Sequence, residues 1–135
     1  MRLKGLFLFV IMVTTITCSA DNTPSLSTAE VTSITNTSAV SGGNVIEEGS
    51  GEVTERGVCW NDSPCPTLND NKTVDGSGPG SFTSIITGLS KNNKYYVRAY
   101  ATNYAGTSYG DEKSFTTSPE EQIIADHTAV ENFNK

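Results

Sequence analysis

The stretch Leu89-Ser90-Lys91-Asn92-Asn93-Lys94-Tyr95-Tyr96-Val97-Arg98-Ala99-Tyr100-Ala101 decides the fold. Its second half alternates with a period of two, which is the period of an extended strand. At that period Val97, Ala99 and Ala101 share one side and face a core. Tyr96, Arg98 and Tyr100 share the other and point outward. The strand is predicted over 95–103. The Lys-Asn-Asn-Lys run before it is turn chemistry, because Asn bonds its own backbone and tolerates the left-handed conformation. Tyr104-Ala105-Gly106-Thr107 turns the chain again, and 108–117 is predicted to return beside the first strand.

Working back toward the amino terminus, the same grammar repeats. Thr, Ser, Val, Ile and Tyr alternate with Gly, Asn and Pro, and no stretch before Ser118 shows a 3.6-residue apolar period. Strands are predicted over 27–35, 38–46 (containing Gly42-Gly43), 53–60 and 81–87, with Asn36-Thr37 and 47–52 as turns. Residues 61–80 form a long polar loop with room for a short edge strand near 72–74. About seven short strands with turns every 8 to 12 residues is the signature of an all-β, immunoglobulin-like antiparallel sandwich.

The quoted stretch resembles the corner between the fifth and sixth strands of fibronectin type III domains, where a Leu precedes a Tyr by six residues and the Tyr hydroxyl bonds back to the corner. Leu89 and Tyr95 match those positions. Ser41-Gly42-Gly43-Asn44, Arg56-Gly57-Val58-Cys59-Trp60, Ser63-Pro64-Cys65-Pro66-Thr67, Gly80-Ser81-Phe82 and Ser114-Phe115-Thr116-Thr117 follow one another in matching order. Together they resemble the fibronectin type III-like repeat of exported lipoproteins and surface proteins of gut and gliding Gram-negative bacteria. The likeness covers about 24–117 and departs at Cys65, where such repeats more often carry a polar residue. It implies a sandwich whose core Trp, placed on the second strand in ordinary members, sits on the third strand as Trp60. Val58 and Trp60 are then expected to point inward over Gly42-Gly43, with Cys59 on the opposite face.

Ahead of this domain, Arg2 and Lys4 precede the apolar run 6–13 and a small, polar stretch ending near Ala20. That is the order of a secretory signal, and the run falls well short of the roughly 20 residues that span a bilayer. Thr15-Ile16-Thr17-Cys18 sits where a bacterial lipoprotein signal carries its lipidated cysteine, although Thr17 is bulkier than usual there. Cleavage after Ala20 is the alternative. The organisation expected is a signal peptide of the lipoprotein type at 1–17, a flexible tether at 18–26, the fibronectin type III-like domain at 27–117, and at 118–135 a linker opening a following module. A lipid anchor at Cys18 would make the membrane a partner and place the protein at the outer membrane or cell surface. Without the leader's Arg2 and Lys4, 7 basic residues face 15 acidic ones, a formal charge of −8. Nucleic acid needs clustered Lys and Arg, so it is not an expected partner.

Catalytic chemistry is hard to assemble from what remains. The single histidine is His127, outside the sandwich, so no Ser-His-Asp triad can form within it. Glu52 with Glu55, and Asp111 with Glu112, read as solvated charges before they read as a glycosidase pair. Asn69-Asp70-Asn71 with Asp75 is rich in oxygen but lacks the order of a calcium loop, and 76–80 has no phosphate-loop Lys. Neither a metal nor a cofactor is implied. Cys59 and Cys65 stand six apart in a compartment that permits disulfides; they either close a small loop or never meet. The candidate recognition face is Tyr96, Arg98 and Tyr100, with Tyr104 and Tyr109 nearby, since Tyr and Arg are enriched at binding hot spots and sugars stack on aromatic rings. Cross-strand support of the sheet explains the same residues without a ligand. The expected function is a non-catalytic exported spacer or interaction module. The alternatives are an amino-terminal accessory part of a longer secreted hydrolase, with Asp126-His127 in its missing body, and a carbohydrate- or protein-binding module using the Tyr face.

Overall fold

The computed structural model describes residues 22–119. The leader, Cys18 and the stretch 120–135 with His127 lie outside the described residues. Eight strands run β1 (Ser25–Thr28), β2 (Ala39–Glu47), β3 (Glu55–Asn61), β4 (Asn71–Lys72), β5 (Gly80–Ile86), β6 (Lys94–Asn103), β7 (Gly106–Tyr109) and β8 (Lys113–Thr116). One sheet has the order β1-β2-β5. The other has the order β4-β3-β6-β7, with β8 also paired to β6. All six pairings among these strands are antiparallel. The protein is an all-β, fibronectin type III-like sandwich.

Between the sheets lie Ala39, Val58, Trp60, Ile86, Leu89, Tyr95, Val97, Ala99 and Phe115 in one cluster, and Val45, Val53 and Ala101 in a second, bridged by Leu26 and Phe82. The alternation along β6 explains its contribution. Tyr95, Val97, Ala99 and Ala101 are all buried on the side facing the other sheet. At the corner, the Tyr95 hydroxyl accepts the Ser90 N–H at 2.9 Å, and its ring stacks on Phe115 with centroids 5.8 Å apart.

Several elements depart from the expectations. The first strand begins at Ser25, inside the span expected to be tether, and ends at Thr28 rather than at residue 35. Beyond it only Thr32 bridges Val40, because Ser33 adopts a left-handed backbone (φ 50°) that no ladder accommodates. The last strand is split into β7 and β8. The break spans residues 110–112, and close approach requires glycine at its start: a Cβ on Gly110 would lie 2.6 Å from Thr28 Oγ1. Thr28 itself reaches across from the other sheet, and its hydroxyl accepts the Ala99 N–H at 3.0 Å.

The glycine pair of β2 is also used differently. A Cβ on Gly43 would meet Ala99 Cβ at 2.6 Å and Phe82 Cζ at 3.0 Å, so Ala99 and Phe82 occupy the space above it, not Trp60. Ala99 belongs to β6, so β6 passes over Gly43, and Val58 lies beside Ala99 on the neighbouring strand β3. At Gly42 (φ 149°) a Cβ would strike the Phe82 carbonyl, so the residue serves the β2–β5 ladder and not the core. Trp60 packs farther along, in the cluster with Leu89, Tyr95 and Phe115.

Candidate functional site

The face opposite the core on β6 carries Tyr96, Arg98 and Tyr100, but the chain covers much of it. After β3 the polar loop turns back, and residues 62–79 cross this face. Thr73 N–H bonds the Val58 carbonyl and Asp75 N–H the Arg56 carbonyl, extending β4 along β3. The loop leaves Tyr100 with 0% exposure, which corrects the expectation that it points into solvent. Its hydroxyl donates to the Thr73 carbonyl at 2.6 Å and lies 3.2 Å from Glu55 Oε1. Lys72 Nζ sits 5.5 Å from the ring centre and 3.0 Å from the same Glu55 oxygen. Burial, reinforced by the Glu55 carboxylate, pushes the Tyr100 phenol well above its ordinary range.

Arg98 is likewise occupied. Its Nη2 and Nε donate to the Pro66 carbonyl at 2.6 and 3.0 Å, and its guanidinium carbon lies 4.1 Å from the centre of the Tyr109 ring. The Tyr109 hydroxyl accepts the Leu68 N–H at 3.2 Å. Arg98 and Tyr109 therefore hold the loop down. Tyr96 is half-buried, with Lys94 Nζ 5.3 Å from its ring centre. Tyr104 sits apart in the β6–β7 turn, largely exposed, with its hydroxyl 3.0 Å from Ser50 Oγ. The tyrosines thus do not form one recognition patch.

The cysteines do not meet. Both thiols are free; Cys59 is buried under the loop and Cys65 is exposed on it. Cys59 donates to the Arg98 carbonyl at 3.6 Å, and burial pushes its thiol up to about 11, so it stays protonated at neutral pH. Cys65 has a left-handed backbone (φ 61°), and its N–H donates to Glu112 Oε1 at 2.7 Å.

The oxygen-rich residues are engaged in turns and seams. Asp70 accepts from Asn61 Nδ2 at 3.1 Å and from the Thr67 N–H at 2.9 Å, which is local capping. Asp75 accepts from the hydroxyls of Thr73 and the fully buried Ser84, stitching the β4 side of one sheet to β5 of the other. Arg56 extends that seam by donating to the Gly78 and Pro79 carbonyls at 2.9 and 2.8 Å. At the opposite edge Asp111 accepts the Thr28 N–H at 3.0 Å. That bond, with help from Lys113, holds its carboxyl below the usual carboxylate range. Among the described residues no group of three or more His, Cys, Asp or Glu side chains is arranged to hold a metal.

Two further side chains, neither given a role by the sequence reading, govern where the chain enters and leaves the sandwich. Asn103 is buried at the entry end, with its amide on the Asn22 and Glu48 carbonyls. Thr117 is buried at the exit: its hydroxyl donates to the Ser90 carbonyl at 2.6 Å and accepts the Asn93 N–H at 2.9 Å. Ser118 N–H then bonds the Thr35 carbonyl. A buried Asn or Thr looks like any other polar residue in sequence, so neither role could be read there.

No family model matches the chain, and no curated protein matches it in sequence. Solved structures do. The sensor domain of the anti-sigma factor RsgI4 in Pseudobacteroides cellulosolvens aligns at a TM-score of 0.55 and 18% identity, over 76% of this chain and 100% of that one. A structure described as a myokine aligns at 0.52 and 18%, over 72% and 97%. The sixth fibronectin type III domain of human fibronectin type III domain containing protein 3 gives 0.49 and 23%, over 79% and 93%. At these identities what is shared with the first two is the fold.

Proposed function

We propose that this chain is a non-catalytic spacer module of an exported bacterial lipoprotein, tethered to the membrane through Cys18. The observation that carries the spacer reading is where the chain enters and leaves the sandwich. Asn22 lies at the end of the sandwich that holds the β2–β3 and β6–β7 turns, since Ser50 N–H and Asn103 Nδ2 both bond its carbonyl. Ser118 lies at the other end, against Thr35 and Asn92. The ten residues of β6 run between those ends, and nine steps of about 3.3 Å place them on the order of 30 Å apart. A module that takes the chain in at one end and releases it at the other adds length between an anchor and whatever follows.

The membrane part of the proposal rests on the leader and on Thr17-Cys18. A multiply acylated cysteine would hold far more firmly than one chain, since each buried CH₂ adds about 0.8 kcal/mol. Expression of the full chain with its own leader in a Gram-negative host tests it. The membrane fraction should yield an amino-terminal peptide beginning at Cys18 with acyl mass added, and Cys18→Ala should release the protein. A mature amino terminus at Asp21 without lipid would refute the anchor and leave a secreted spacer.

A further inference from the structure

We infer that Asn103 is a latch that fuses the incoming chain to the body, so that residues 22–24, ahead of β1, already move as part of the sandwich. Asn103 is 3% exposed. Its Nδ2 lies 2.7 Å from the Asn22 carbonyl and 2.9 Å from the Glu48 carbonyl, with the Gly51 carbonyl at 3.4 Å. Its Oδ1 accepts the N–H groups of Ala105 and Gly106 at 2.8 and 3.2 Å. One planar amide therefore ties together the entering strand, the β2–β3 turn and the β6–β7 turn.

Only an amide of this length supplies two donors and an acceptor in that arrangement. A carboxylate would aim an oxygen at two carbonyls, and a hydroxyl could serve one partner at a time. The surroundings are shaped to the same end. The Asn22 carbonyl also accepts the Ser50 N–H at 3.2 Å. Gly49 (φ 81°) has no room for a Cβ, which would lie 2.5 Å from the Asn22 carbonyl oxygen and 2.8 Å from that of Thr23. Outside the latch, the Tyr104 ring lies over Gly51, where a Cβ would come within 2.6 Å of it. The entering residues are thus held by polar contacts to two turns before the β1–β2 ladder begins at Ser25.

The latch rests on the spacer reading and extends its fixed body to Asn22, and it is tested separately from lipid attachment. Hydrogen exchange is followed by NMR on the full chain, comparing the parent with Asn103→Asp and the milder Asn103→Ser. Exchange at Ser50, on the donor side of the amide, should rise at least tenfold in both variants; Ala105 and Gly106 should rise in Asn103→Ser and stay protected in Asn103→Asp, whose carboxylate still accepts them, while Val58 and Val97 in the central strands change less than twofold. Exchange at Ser50 that stays within twofold of the parent would overturn the latch. A uniform rise at all amides would also overturn it, because Asn103 would then support global stability and not the entry end alone. Lipidation at Cys18 should be the same in all three proteins, so loss of the anchor and loss of the latch cannot be confused.

Discussion

Tyr100 shows how much a single buried hydroxyl can report. Its ring lies on the outer side of β6 yet is fully buried, and its hydroxyl donates to the Thr73 carbonyl. Tyr100→Phe leaves that carbonyl short of a partner, so it should cost about 1–3 kcal/mol near neutrality. The pH dependence has a definite sign. A phenol raised above its ordinary 10.0 in the folded protein contributes stability that is complete below pH 10. That contribution falls as the pH climbs past 10, because the unfolded chain then loses its proton first. The Phe variant lacks this decline, so the gap in melting temperature between parent and variant should narrow from pH 8 to pH 11. A gap that stays constant over that range contradicts the assigned environment. Trp60 offers a test of a different kind. It packs among Leu89, Tyr95 and Phe115, and Trp60→Ala should destabilise by about 3–5 kcal/mol in urea titrations. An unchanged midpoint would remove Trp60 from the core.

At the level of strands, β2 and β6 meet at Gly43 with almost no clearance. A methyl there would come 2.6 Å from Ala99 Cβ and 2.8 Å from the Ser27 carbonyl oxygen. Gly43→Ala should therefore cost about 1–3 kcal/mol by overpacking. Adding Ala99→Gly should recover part of that loss but not all, since the Ser27 carbonyl remains in the way. Denaturant midpoints of the parent, both single variants and the double variant measure the coupling; a neutral Gly43→Ala would show that the sheets part freely. The same strands mark what the sequence could disclose. Period-two alternation and turn residues are local signals, so the all-β sandwich and the side taken by each residue of β6 were legible. What covers a side is not local. The contacts that bury Tyr100 come from Thr73 and Glu55, 27 and 45 residues away. The facing of Gly43 by Ala99 depends on how β2 of one sheet lies over β6 of the other, which no single strand contains. The need for glycine at 110 likewise depends on Thr28, which arrives from the other sheet.

In the whole molecule, the polar seams close both long edges and the buried Asn103 and Thr117 clamp the two ends. Thr28 and Asp111 join the sheets on one side, while Asp75, Thr73 and Ser84 join them on the other. Buried polar groups that are fully paired favour one arrangement over its neighbours, because each broken bond leaves a desolvated partner behind. A body stitched in this way should behave as a strut with a single length. Spin labels at Glu47→Cys, near the entry end, and Ser118→Cys, at the exit, would report it in a full chain whose Cys18, Cys59 and Cys65 are replaced by Ala. Pulsed dipolar spectroscopy should then give one narrow distance on the order of 30 Å, from nine steps of about 3.3 Å along β6 plus little else. Thr117→Val removes the hydroxyl that holds Ser90 and Asn93. It should broaden the distribution from the exit side while the far-ultraviolet circular dichroism of the sandwich persists. A broad distribution already present in the parent would mean that the exit is loose. The module would then add reach without setting direction.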